Sequence, residues 1–190
     1  MREKMTRSLT PLALLAALSA CASSGHRYQD KKMDFGALKT VAVMPFQNLS
    51  RDNLAADRVR DVFANALLAT EAVYVVPNGE VARALGKVGV PIAMSPSAEE
   101  VVKLGQALKA EGILTGTVKE YGEVRSGTAV GNAISVSVQM QETSSGKVIW
   151  AGTTTKGGVT FSDRLFGGGG APMNYLTEEA VDDLLNKLFK

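Results

Sequence analysis

Thr40-Val-Ala-Val-Met-Pro-Phe46 is a continuous apolar stretch that decides how the rest of the chain is interpreted. Its β-branched residues and the proline that ends it are typical of a short strand buried on both faces of a sheet. The polar loop 47–53 follows, and Asp52 or Asn53 is placed there to cap a helix. The stretch therefore predicts the first strand of an α/β domain.

The next segments alternate between helical and strand-like patterns. They predict a helix at 54–70, a short strand at 73–77, a helix from Asn78 to Gly86, and a helix that follows Ser97 and stops at Gly112. Ser97 and Glu100 have the spacing of a capping box, in which each side chain satisfies a backbone N–H of the other residue. Residues 88–96 are predicted to form a loop.

The second half of the chain predicts an antiparallel meander with strands at 113–123, 132–142 and 147–156. Apolar and polar residues alternate along 132–142, as expected when one face of a strand is buried. A glycine-rich segment, 157–172, separates the meander from a helix predicted to begin at the capping residue Thr177 and to run to Lys190. We expect an α/β (α+β) fold with a single mixed, partly antiparallel sheet and helices packed mainly on one face.

The N-terminal segment ends in Leu18-Ser19-Ala20-Cys21, which contains the only cysteine. A basic start and an apolar run of about a dozen residues fit a secretory signal, because a membrane-spanning helix needs roughly 20. The final four residues resemble a bacterial lipobox. We predict a lipoprotein signal peptide at 1–20, a lipidated tether at 21–39 and a folded domain at 40–190. A plain signal peptide, with Cys21 incidental, is the alternative.

The position after Cys21 carries Ala22 rather than aspartate, which resembles lipoproteins sent to the outer membrane and facing the periplasm. The polar tether could extend about 60 Å, enough to hold the domain clear of the bilayer. The sole histidine, His26, is predicted to be a solvated residue of this tether. The membrane, through a lipid anchor, is therefore one predicted partner.

Charge gives no reason to expect nucleic acid as a partner. Of the 21 basic and 19 acidic residues, Arg2, Lys4, Arg7 and Glu3 precede Cys21, so the predicted mature chain is neutral. The basic pI of the whole chain comes from the signal segment.

The sequence lacks the usual signatures of catalysis or of a bound cofactor. One histidine and one cysteine cannot form a histidine or thiolate metal cluster, and no nucleophile elbow, dinucleotide fingerprint or Walker loop occurs. We predict no cofactor, no metal and no enzymatic activity. Carboxylate pairs could still serve acid-base chemistry. These pairs are Glu99 with Glu100, Glu120 with Glu123, and Asp182 with Asp183.

Three aromatic residues are candidate partner contacts. Trp150 lies on a predicted hairpin strand, where it either packs in the core or forms a subunit contact, since aromatic residues are enriched at interfaces. Phe161 and Phe166 lie in the glycine-rich segment, where burying both is difficult.

The order of several motifs resembles a known group. The motifs are Val41-Ala-Val-x-Pro-Phe-x-Asn48, Gly112-Ile-Leu-x-Gly-x-Val118 and Ser145-Gly-Lys-Val-Ile-Trp150, between a lipobox and a C-terminal helix. Together they resemble periplasmic lipoproteins with a domain like the N-terminal domain of TolB, a group that includes CsgG, PelC and LpoB. The resemblance implies a binding and assembly module. A CsgG-like pore is disfavoured because 112–142 lacks an aromatic girdle.

These observations lead to three functional hypotheses. The first is a non-enzymatic scaffold of an envelope export or secretion complex, possibly a homo-oligomer, which contacts other envelope proteins. The second is a regulatory lipoprotein that binds and activates a peptidoglycan synthase. The third is an enzyme that uses carboxylates alone, which would require a polar cleft with facing acids.

Overall fold

The computed structural model describes residues 26–159 and 170–189. The strands are β1 (Arg27–Gln29), β2 (Thr40–Val43), β3 (Gln47–Asn48), β4 (Tyr74–Val75), β5 (Gly112–Ser126), β6 (Ala129–Glu142) and β7 (Val148–Gly157). The helices are α1 (Ala55–Ala69), α2 (Asn78–Val88), α3 (Ala98–Leu108) and α4 (Met173–Leu188). A single 3-10 turn, Phe35–Ala37, precedes β2.

All seven strands of the described residues belong to one mixed sheet. Its strand order is β1-β7-β6-β5-β2-β4, with β3 also paired to β5. The predicted buried strand, β2, is parallel to both β4 and β5, whereas β5, β6, β7 and β1 are successively antiparallel. The predicted mixed α/β fold with an antiparallel meander is confirmed.

The main core lies between one face of the sheet and the helices α1 and α4. Val41 and Val43 of β2 point into this core, together with Phe63 of α1 and Leu184 of α4. The predicted alternation of β6 is also observed, because Ile134, Val136, Val138 and Met140 all belong to the same core.

A second, smaller core lies on the opposite face. Ala42 and Met44 point into it from β2, and Val81 of α2 and Leu104 of α3 cover them. The structure thus refines the predicted placement of the helices. The pair α1 and α4 covers the longer part of one face, while α2 and α3 cover only the β2 end of the other.

One helix start follows the sequence signal, whereas several other helix ends differ. Helix α3 ends at Leu108 rather than at Gly112, which instead begins β5. The capping box of α3 is present, with the Ser97 backbone N–H donating to the Glu100 carboxylate at 2.7 Å. At α1 the predicted cap is displaced: Asp52 accepts from the backbone N–H of Leu54, the residue before the helix. Helix α2 continues past Gly86 and ends at Gly89, whose φ of 74° is the left-handed conformation that glycine adopts easily.

The start of α4 also corrects the prediction. The helix begins at Met173, so Thr177 is an internal residue rather than the cap. Its side chain is buried and donates to the carbonyl of Met173 at 2.6 Å. This bond to the carbonyl four residues earlier satisfies the hydroxyl donor, and Thr177 cannot cap because it lies within the helix.

The N-terminal boundary of the fold is the largest correction. Residues 27–29 lie within the predicted tether, yet they pair with β7 as an edge strand of the sheet. Leu38 is buried in the main core, and Met33 and Phe35 pack against it. The folded domain therefore begins well before Thr40, and only the segment preceding His26 is left to link it to Cys21.

Candidate interaction surfaces

The edge of the sheet at β1 is held in place by both backbone and side-chain contacts. The Thr153 N–H donates to the carbonyl of His26 at 3.2 Å, and the Asp30 N–H donates to the carbonyl of Ile149 at 2.8 Å. Arg27 also donates from Nη1 to the carbonyl of Lys187 in α4 at 3.4 Å. These contacts fix where the N-terminal segment enters the fold.

Trp150 lies in the core rather than on a surface. Its side chain is 0% exposed, and its indole N–H donates to the carbonyl of Lys187 at 3.2 Å. The C-terminal turn of a helix leaves carbonyls without helical partners, and the Lys187 carbonyl is satisfied by the indole together with the longer bond from Arg27. Of the two possibilities for Trp150, the core position is observed, and the predicted partner contact is wrong in this conformation because the ring presents no surface.

A charged network joins α4 to β7 beside this tryptophan. Lys187 Nζ donates to the Asp183 carboxylate at 2.6 Å and to the carbonyl of Thr153 at 3.1 Å, and the Thr154 hydroxyl donates to the same carboxylate at 2.6 Å. Burial raises the pKa of Asp183, but the hydrogen bonds from Lys187 and Thr154 outweigh it, so this pKa lies below its ordinary value. The network holds α4 against β7, the strand that pairs with β1.

The β1 edge presents a group of exposed side chains that the sequence did not identify as functional. Arg27, Tyr28, Lys31 and Lys32 are all exposed. The four ion pairs among the described residues do not include either lysine. The signal available in the sequence was the cluster of cations around a tyrosine immediately after the lipobox, which we assigned to a solvated tether.

The hairpin of β5 and β6 extends beyond the other strands. The pairing of β6 with β7 ends at Ala133 and Gly157. Beyond it, β5 and β6 stay paired with each other as far as Ser126 and Ala129. The glycines between the strands predicted at 113–123 and 132–142 favour a loop over 124–131, but this segment continues both strands as a two-stranded arm with a tight turn at Gly127 (φ 64°). Four residue steps of about 3.3 Å separate the pair Gly122 and Ala133 from the pair Ser126 and Ala129, so the paired part of the arm is roughly 13 Å long.

Residues just after β7 and just before α4 hold the base of this arm in place. The Gly158 N–H donates to the carbonyl of Asn132 at 2.7 Å, and the Asn132 side chain donates to the carbonyl of Ala171 at 3.0 Å. These bonds fix the base of the arm, and its far end could contact another subunit or a partner protein.

Leu49 and Leu54 form a further exposed apolar pair, each more than half exposed, on the loop between β3 and α1. Asn48 and Asp52 organise this loop: the Asn48 side chain donates to the Asp52 carbonyl at 2.7 Å, and Asp52 accepts from the Arg58 guanidinium at 3.0 Å. An ordered loop with outward leucines loses little entropy on binding, which favours a protein contact.

The cavities of the described residues are small or shallow. The most apolar is a space of about 50 Å³ beside Phe35, Leu67 and Leu188. Pockets for small molecules usually measure about 300–1,000 Å³, so this space could not enclose a sugar or an acyl chain. The larger depressions are open grooves, such as the one beside Asp182 and Asn186.

One member of each acidic pair considered for catalysis has a local structural role. Glu100 caps α3, Glu123 binds the Arg125 guanidinium at 2.9 Å, and Asp183 binds Lys187.

Within the described ranges, no group of three or more His, Cys, Asp or Glu residues is placed to hold a metal ion. None of the helices in that part of the chain is long and apolar enough to cross a membrane.

Three predicted site residues, Cys21, Phe161 and Phe166, lie outside the described residues. The predicted lipid attachment and the two aromatic partner contacts therefore remain predictions.

A model of a protein family, described as "Putative lipoprotein GNA1162-like", matches residues 33–187. No curated protein sequence matches the chain. Among solved structures, the fold is similar to the PelC dodecamer from Paraburkholderia phytofirmans, with a TM-score of 0.57, 16% identity, and coverage of 87% of this chain and 96% of that chain.

Two further structures share the fold. Lipoprotein GNA1162 from Neisseria meningitidis has a TM-score of 0.57 and 20% identity over 80% of this chain and 98% of that chain. The LpoB C-terminal domain from Salmonella enterica has a TM-score of 0.51 and 15% identity over 67% of this chain and 87% of that chain. The predicted resemblance to lipoproteins of the PelC and LpoB group is confirmed at the level of the fold.

Proposed function

The chain belongs to the GNA1162-like lipoprotein family, and on this basis we propose that it is a periplasmic lipoprotein anchored in the outer membrane, where it acts as an oligomeric, non-enzymatic scaffold in an envelope export complex. Cys21 is the proposed site of lipid attachment, with residues 1–20 removed as the signal peptide. The outer-membrane location rests on Ala22, since aspartate at that position resembles a signal for retention in the inner membrane.

The observation that carries the proposal is the similarity to the PelC dodecamer. The match covers 96% of that chain, so almost the whole folded subunit of a dodecamer has its counterpart here. The features of this chain that suit an assembly are the rigidly based arm of β5 and β6 and the outward pair Leu49 and Leu54. Contacts of this kind, repeated between identical subunits, generate closed rings when the rotation permits.

A scaffold role also accounts for the lack of a chemical site among the described residues. One acid of each candidate pair is used to cap a helix or to form an ion pair: Glu100, Glu123 and Asp183. The small apolar space beside Phe35 has no room for a substrate. Protein contact is the function that these surfaces support best.

The test is the mass of the mature, acylated protein, extracted in mild detergent and measured by native mass spectrometry over a wide range of concentration. We expect a discrete species of many subunits. A paired substitution, Leu49→Asp with Leu54→Asp, should reduce it to smaller species, while Ile92→Asp with Met94→Asp on the α2–α3 loop should not, although both residues of that loop are also exposed. Monomer alone at every concentration would contradict the scaffold proposal.

The second candidate is a lipoprotein that binds and activates a peptidoglycan synthase. The similarity to the LpoB C-terminal domain favours it, although that match covers less of this chain than the match to PelC does. Crosslinking in intact envelopes followed by mass spectrometry separates the two candidates. Recovery of export proteins and copies of this chain supports the scaffold, whereas recovery of a synthase supports the regulator.

A further inference from the structure

The pairing of β1 with β7 determines how far the folded domain lies from the proposed lipid anchor. The described chain starts at His26, whose carbonyl is already bonded to Thr153 in the sheet. Only five residue steps separate Cys21 from His26, and a fully extended chain spans at most about 3.3–3.6 Å per residue. Since Cys21 lies at the bilayer surface in the proposed function, on which this inference rests, the β1 edge lies within roughly 17 Å of that surface.

The other edge of the sheet is much farther from the anchor. Strand β4 lies five strand positions from β1 in the sheet order. At about 4.8 Å per position, the two edges are roughly 24 Å apart. The short link therefore favours orientations in which β1 faces the bilayer and β4 faces away from it.

The side chains of the β1 edge suit a lipid surface. Tyr28 is 52% exposed, and tyrosine favours the interface between lipid and water because its ring is apolar and its hydroxyl is polar. Lys31 and Lys32 are exposed in the turn that follows β1. Each basic residue near an anionic leaflet contributes about fivefold to binding.

The acids of the same segment oppose this attraction only in part. The Asp30 carboxylate accepts from the backbone N–H of Lys32 at 2.9 Å, and the Asp34 carboxylate accepts from that of Gly36 at 2.9 Å. Both acids are thus turned toward their own backbone. Arg27, Lys31 and Lys32 exceed the two acids by one charge, so the segment keeps a formal net charge of +1.

We propose that this surface, consisting of Arg27, Tyr28, Lys31 and Lys32, docks on the anionic phospholipid surface of the membrane that holds the anchor. The lipid anchor limits the distance between the domain and the bilayer, and contact of the β1 edge with the lipid headgroups determines the orientation of the domain. In this orientation the α2 and β4 side of the domain, and not the β1 side, is presented to the periplasm.

The experiment uses the full acylated protein reconstituted into vesicles of phosphatidylethanolamine and phosphatidylglycerol. A single thiol for an environment-sensitive fluorophore is introduced by Tyr28→Cys or, as the matched control, by Tyr74→Cys. Both tyrosines lie on edge strands of the same sheet and are 52% and 58% exposed. We expect a spin label on the lipid headgroup to quench the fluorophore at position 28 several-fold more strongly than at position 74.

The role of charge is tested by Lys31→Glu with Lys32→Glu, compared with Lys87→Glu with Lys103→Glu on α2 and α3. Both pairs are exposed and change the charge equally. The first pair should lower quenching at position 28 several-fold, toward the level at position 74, as should vesicles of phosphatidylcholine, while the protein still floats with the vesicles. The second pair should have little effect.

The outcomes separate this inference from the proposed function. Equal quenching at positions 28 and 74 in protein that floats with the vesicles overturns the docking surface but leaves the anchor intact. Shielding of position 28 from aqueous quenchers without quenching by lipid shows that protein covers the edge, and it overturns the inference as well. Failure to float, with an unmodified thiol at Cys21 by mass spectrometry, contradicts the proposed function itself and with it this inference.

Discussion

The substitution Gly105→Ala gives the sharpest test of how α3 is placed. Alanine is favoured over glycine within a helix by about 1 kcal/mol, so propensity alone predicts stabilisation. Gly105, however, is buried against the turn between β6 and β7. A methyl group there would overlap the Cβ of Thr143 and would lie 2.6 Å from its Cγ2 and 2.8 Å from its hydroxyl oxygen.

The magnitude follows from what Thr143 does. Its hydroxyl donates to the carbonyl of Ala110 at 2.6 Å, and its N–H donates to the carbonyl of Glu111 at 3.0 Å. Relieving the overlap requires α3 or this turn to move, which costs about 1–3 kcal/mol for an overpacked site. Losing the hydroxyl bond costs about 1 kcal/mol more. After subtracting the gain in propensity, we expect Gly105→Ala to lower the free energy of unfolding by about 1–3 kcal/mol.

The control is Gly86→Ala in α2, where a new Cβ would meet no atom within 4 Å. The same chemical change should there stabilise the protein by about 1 kcal/mol. Urea denaturation followed by circular dichroism measures both variants. The double variant Gly105→Ala with Thr143→Gly should recover part of the loss, because the two changes remove one shared overlap. If Gly105→Ala stabilised the protein as much as Gly86→Ala, the close packing of α3 against this turn would be refuted.

Three further predictions concern the end of the sheet near β1. Trp150→Phe should lower the free energy of unfolding by about 1–2 kcal/mol in urea denaturation, because the Lys187 carbonyl loses the indole N–H. Since the pKa of Asp183 is lowered in the folded state, its charge stabilises the protein above the unfolded-state pKa, near 3.9, and this contribution is lost as the pH falls through the folded pKa. Asp183→Asn should therefore be destabilising at pH 7, and its difference from the wild type should shrink below about pH 4 in melting curves, whereas an undiminished difference at pH 2 would contradict this assignment. Inserting 15 Gly and Ser residues after Gly25 should leave flotation with vesicles unchanged but should reduce the lipid quenching at position 28 several-fold, because a flexible link of that length adds roughly 20 Å of reach.

The elements that the sequence predicted correctly are those whose signals are local. The apolar run of β2, the alternation of β6 and the reciprocal spacing of Ser97 and Glu100 each reflect a backbone periodicity or a contact within one turn. The order of short motifs was also sufficient to indicate the family. These signals do not depend on which distant segment lies beside them.

The parts that could not be predicted depend on distant partners. Arg27–Gln29 has no apolar pattern and is only three residues long, so its strand exists because β7 offers an unpaired edge more than 100 residues away. Thr177 has the chemistry of a cap, but Tyr121 and the core bury it inside α4. The glycines of 122–131 suggested a loop, yet continuous pairing of β5 with β6 makes the segment an arm.

The position of β1 also bears on which partner the protein can reach. A tether of 18 residues would have allowed about 60 Å of free chain, whereas five residue steps allow about 17 Å. With Cys21 acylated as proposed, a domain of this size, about 40 Å across, has no surface farther than roughly 60 Å from the bilayer. A partner anchored in another membrane would have to extend to this layer, whereas further copies of the same chain, held by the same short link, are already there. The short link therefore favours an assembly on the membrane over a regulator that reaches across the periplasm.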